Sequence, residues 1–140
     1  MATQKELLAG NFRLGWMRFM YAITLVAAVG TGLAILLVPE VLTDLLGWPF
    51  PEPLFPGAYA GCLVAFGVLS ALGLRSPVKF VPVLFFQFCY KVTWVALVLL
   101  PLWMRGELPS YYGLLTFFMV IAIVGDLIAV PFAYLFRKSA

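Results

Sequence analysis

Four apolar runs, each about as long as a bilayer is thick, leave this chain few ways to fold. They cover Phe19–Val38, Gly57–Leu74, Phe80–Leu100 and Tyr111–Phe136. About 20 mainly apolar residues, rising about 1.5 Å each, cross a hydrocarbon core of about 30 Å as a helix. Proline sits at the edges of these runs, at Pro39, at Pro51, Pro53 and Pro56, at Pro77, at Pro101 and at Pro109. It cannot continue the hydrogen-bond ladder and so marks where each helix stops or starts. The expected architecture is an all-α integral membrane protein, one four-transmembrane-helix bundle over residues 1–140. Composition points the same way: 64% hydrophobic, 11% charged, with a mean hydropathy of +1.07. A soluble domain has too few buried positions to hide so much apolar side chain.

Basic residues give the orientation. With four spans, both termini and the second-to-third loop share a face carrying Lys5, Arg13, Arg18, Arg75, Lys79, Arg137 and Lys138. The opposite face carries Arg105 with Glu40, Asp44, Glu52 and Glu107. The positive-inside rule then places both termini in the cytoplasm, N-in and C-in. The basic balance, a pI near 9.0, is accounted for by topology, and no nucleic-acid partner is expected. The first span follows a positive segment, as a signal peptide would. Its apolar stretch is too long, however, and it ends at Pro39-Glu40 without a small-residue cleavage site, so it reads as a retained helix. Ahead of it, Gln4–Trp16 sets Leu7, Leu8, Phe12 and Trp16 among polar residues. That segment is either a short amphipathic helix on the cytoplasmic interface or a frayed terminus that only orients the first span.

The long outer loop has its own pattern. Glu40 to Leu46 places apolar residues at helical spacing, which predicts a short helix lying in the outer interface. Trp48-Pro49-Phe50-Pro51 then returns as an extended segment, anchored by Trp48 and Phe50 at headgroup level. A connector on the membrane surface is the plainer reading of this loop, and a lid over a pocket the functional one. Small residues recur every four positions at Gly57, Gly61 and Ala65, followed by Gly67, Ser70, Ala71 and Gly73, with a similar patch at Ala27, Gly30, Thr31 and Ala34. In a bilayer such spacing lets helix backbones approach, so these residues are expected to pack the first two spans together. Homo-oligomerisation through the same motif is the alternative. Pro82 falls in a first turn and is tolerated, whereas Pro131 predicts a kink just beyond Asp126.

Two charges inside the runs define the one sharp site. Lys91 lies about 12 residues past Lys79, and Asp126 about 11 before Arg137. Antiparallel neighbours would therefore hold them at the same depth. A charge there is costly, faces the bundle interior and needs a partner. Gln87 precedes Lys91 by one turn and Trp94 follows by three residues, so the three share a face, with Tyr90 and Thr93 flanking. Three readings stand. The pair fixes helix register, or it contacts the polar head of an apolar ligand such as a quinone or lipid with Gln87, Tyr90 and Trp94, or it relays protons or ions through Asp126.

Other chemistry lacks its residues. The chain has no His, which removes the commonest ligand for haem, copper and zinc. Cys62 and Cys89 stand alone in separate spans and read as small core hydrophobes. No phosphate-binding Gly loop, Ser-His-Asp set or carboxylate cluster occurs, so neither a catalytic activity nor a metal site is expected. The first span also lacks the coupling carboxylate of small four-helix multidrug exporters.

Three segments carry a resemblance. Ala60-Gly61-Cys62-Leu63-Val64-Ala65-Phe66-Gly67, Leu74-Arg75-Ser76-Pro77 and Gln87-Phe88-Cys89-Tyr90-Lys91-Val92-Thr93-Trp94 resemble the small bacterial four-helix membrane proteins related to DoxX. Leu45-Leu46-Gly47-Trp48-Pro49 looks like the outer loop of that group. The similarity covers most of the chain through short motifs, and it carries no catalytic residue across. It implies a bacterial cytoplasmic (inner) membrane protein, an accessory subunit of a membrane complex that is in some relatives linked to redox and quinone. The expected function is thus a non-catalytic component that binds membrane lipids, an apolar ligand, other membrane subunits or itself. The alternative is a small ion-coupled transporter or channel acting as a homo-oligomer.

Overall fold

The structure, a computed structural model, describes residues 13–136. They are mainly helical, with no strand among the described residues. Four helices are long and apolar enough to cross a membrane: α1 (Leu14–Leu37), α3 (Leu54–Arg75), α4 (Val81–Met104) and α5 (Tyr112–Ala129). Two short helices complete the described residues, α2 (Pro39–Leu46) and α6 (Phe132–Leu135). Most of the N-terminal segment read as amphipathic, and the Arg137-Lys138 end, lie outside the described residues. Trp16 belongs to α1.

Cross-connections set the alternation of the helices. The Trp16 indole N–H donates to the Gly125 carbonyl at 2.9 Å, and the Tyr21 hydroxyl donates to the Pro77 carbonyl at 3.0 Å. The start of α1, the α3–α4 loop and the end of α5 therefore share one end of the molecule. At the other end Gly47, after α2, sits beside Tyr111 at the start of α5. The buried core, Met17, Met20, Tyr21, Val81, Leu84, Ala129 and Val130, lies at the first end. Tyr21 is fully buried there, and Tyr21→Phe is expected to cost about 1 kcal/mol for the lost hydrogen bond. A denaturant titration in mixed micelles reads that loss directly.

The connection between α1 and α3 forms the short helix that its spacing predicts. Gly47 closes α2 at φ +69, a left-handed conformation that glycine adopts without penalty. The Thr43 hydroxyl donates to the Trp48 carbonyl at 2.9 Å and turns the chain back. Glu52 then accepts the first free N–H groups of α3, from Leu54 at 2.7 Å and Phe55 at 3.0 Å. A carboxylate is well placed at a helix N-terminus, where the dipole is positive.

Prolines redraw two boundaries. The third span continues past Pro101 to Met104, because a π-helical turn over Val95–Leu99 precedes it. Widening the turn re-aims the carbonyls that a proline leaves without a donor. Pro131 does more than kink the fourth span. Helix α5 stops at Ala129, Val130 is extended at ψ 117, and the chain restarts as α6.

The small residues that join α1 to α3 are those expected only in part: Gly67, Ser70 and Gly73 of the α3 pattern are buried in the contact, whereas Gly57, Gly61 and Ala65, and Ala27 and Gly30 of α1, are not. Ala28, Gly32 and Ile35 are buried on α1, facing Ala60, Gly67, Ser70 and Gly73 on α3. A Cβ on Gly32 would lie 2.8 Å from the Ala60 carbonyl oxygen, and one on Gly73 2.5 Å from the Tyr21 ring. Gly30, Gly57 and Gly61 have open space around them, and Ala27 and Ala65 are exposed. The true contact is rotated by one residue, about 100° of helix. Cys62 and Cys89 likewise face outward rather than into a core.

Candidate functional site

Lys91 and Asp126 meet. The Lys91 ammonium donates to Asp126 Oδ2 at 2.6 Å, with the lysine side chain 11% exposed and the aspartate fully buried. Backbone geometry brings them together at an unequal place in each helix. Lys91 is near the middle of α4, whereas the break at Pro131 leaves Asp126 in the last turn of α5. The negative end of a helix dipole is an unfavourable site for a carboxylate, so the lysine offsets both the carboxylate and the helix end. Held among apolar neighbours, the pair is costly to separate.

Asp126 is positioned by its neighbour Gly125. The indole of Trp16 binds the Gly125 carbonyl, and the Met20 thioether covers the Gly125 Cα so closely that a Cβ would lie 2.7 Å from its sulfur. That clamp ties α5 to α1 one residue before the aspartate. Below it, Phe132 on α6 stands edge-on to Phe85 and Phe88 of α4, with centroids 6.1 and 5.6 Å apart. Phe136 adds an edge contact to Phe85 at 5.8 Å. These rings pack α6 against α4 on the side of the ion pair that leads to the α3–α4 loop.

The sequence grouping divides in two. Gln87 joins the interior seam, 2% exposed, where its Oε1 accepts from the Thr24 hydroxyl of α1 at 3.1 Å. Tyr90 and Trp94 instead line a shallow groove of about 450 Å³ along the outside of α4, with Phe86, Cys89, Leu97 and Val98. Lys91 is absent from its wall. The Tyr90 hydroxyl meets that of Tyr59 on α3 at 3.1 Å, and its ring stacks on Phe66 at 6.5 Å. The split follows from helix geometry, since Tyr90 lies about 100° from Lys91 around α4. Thr24, Trp16 and Tyr59 were not placed at the site from sequence. Thr24 carried a signal, being a hydroxyl inside an apolar span, but no spacing links it to Gln87 across α1 and α4.

Among the described residues no His, Cys, Asp and Glu cluster of three has metal-binding geometry. No family model, curated protein or solved structure matches the chain.

Proposed function

We propose that this is a non-catalytic component of a bacterial cytoplasmic membrane, an accessory subunit that carries an apolar ligand or docks on a larger assembly. The observation that carries this reading is the ion pair, with its aspartate fully buried, beside an outward apolar groove. Asp126 is fully buried and neutralised by Lys91, behind a core and a set of phenylalanine rings. That arrangement holds α4 and α5 in register and leaves the outer face of α4 free to contact a lipid, a quinone or a neighbouring subunit. The resemblance to the DoxX-related group supports the same role, as does the positive charge that the topology gathers on one face, with both termini in the cytoplasm.

A transporter needs solvent to reach Asp126, and the geometry gives that reading less support. The deciding experiment is mass spectrometry of what co-purifies with wild type and with Trp94→Ala in a mild detergent. The expected result is a partner protein or an apolar ligand that wild type retains and the variant loses. A bare, ligand-free homo-oligomer from wild type would reject the accessory reading and bring ion-coupled transport forward, with Lys91→Met then the variant to assay for pH-dependent flux.

A further inference from the structure

Two unmet hydrogen bonds flank the ion pair. Gln87 Nε2 and Asp126 Oδ1 are buried without a partner, on side chains 2% and 0% exposed. The other atom of each group is taken, Gln87 Oε1 by Thr24 and Asp126 Oδ2 by Lys91. Gln87 and Lys91 occupy successive turns on one face of α4, which sets Gln87 one turn from the lysine that holds Asp126. Away from water an unmade bond of this kind is expensive, and in the hydrocarbon core no solvent relieves it.

The chemistry of the two atoms narrows what can serve them. Gln87 Nε2 requires an acceptor, and Asp126 Oδ1 requires a donor. A carbonyl only accepts, and an ammonium only donates and would add a third charge. A hydroxyl does both. With the Gln87 amide turned over, the Thr24 hydroxyl accepts from Nε2, and Oε1 and Asp126 Oδ1 then both require a donor, which the two hydrogens of a water supply and the single hydrogen of a lipid hydroxyl does not.

We propose that the seam of Thr24, Gln87, Lys91 and Asp126 binds a hydroxyl group, which accepts from Gln87 and donates to Asp126. An internal water and the head of a hydroxylated lipid share that chemistry. The inference stands apart from the accessory-subunit reading, since it holds whether or not the outer groove of α4 is occupied.

Infrared difference spectra of the protein in phosphatidylcholine nanodiscs, exchanged between H2¹⁶O and H2¹⁸O, distinguish the two sources, because this lipid brings no hydroxyl of its own. An isotope-shifted O–H band from a sequestered water is expected in wild type and in Ser70→Ala, whose hydroxyl is an unrelated buried orphan on α3. The band is expected to vanish in the near-isosteric Gln87→Met. Without such a band, mass spectrometry of a solvent extract is expected to find one hydroxylated lipid per chain, lost in Gln87→Met. Wild type with neither band nor lipid overturns the proposal, and needs no folded variant to do so. A signal that survives Gln87→Met in a folded protein overturns it as well.

Discussion

Lys91→Met is expected to lose about 3–5 kcal/mol of stability, and Lys91→Met with Asp126→Leu to recover most of it. The single change leaves a fully buried carboxylate at the negative end of α5 with no counter-charge. The double change removes both charges and fills the space with apolar side chains of similar volume. Their attraction would then no longer be needed to offset the cost of taking them out of water. A denaturant titration of the four species in mixed micelles closes the cycle and reads the coupling. If the double variant stays as unstable as the single one, the pair contributes more than mutual neutralisation. The seam around Gln87 would then be the place to look for the remainder.

That pair was the part of the site most legible in the sequence. A lysine and an aspartate inside apolar runs have few partners, and matching them by distance from the basic ends joins Lys91 to Asp126. What pattern cannot carry is rotation about a helix axis. Tyr90 lies about 100° and Trp94 about 60° from Lys91 on a helical wheel, and both line the outer groove while Gln87, one turn before Lys91, points inward. The four spans were legible for a simpler reason, since length and hydropathy alone define them. Their ends were less so. Pro101 reads as a stop, but a π-helical turn absorbs it. Pro131 reads as a kink, but it ends α5 outright, because the extended Val130 before it cannot belong to a helix. Thr24 shows a further limit, for its partner Gln87 is 63 positions away and nothing local announces it.

The same rotation gives glycine substitutions opposite signs on one helix. Gly73→Ala is expected to destabilise by about 1–3 kcal/mol, the usual cost of overpacking, because its Cβ would meet the fully buried Tyr21 ring. That ring is held at its hydroxyl by Pro77, so it cannot swing aside without giving up a hydrogen bond. Gly61→Ala meets nothing within 4 Å and is expected to be neutral or up to about 1 kcal/mol stabilising, since alanine is the better helix former. Both residues belong to the small-residue pattern of α3, and in the sequence Gly61 looks the stronger packing residue. Thermal unfolding of the two variants in one detergent separates the interpretations. If Gly61→Ala proves the damaging change, then the outward stripe of Gly57, Gly61 and Ala65 has a partner of its own. Small residues at that spacing fit another membrane helix, from a second copy or from a different subunit.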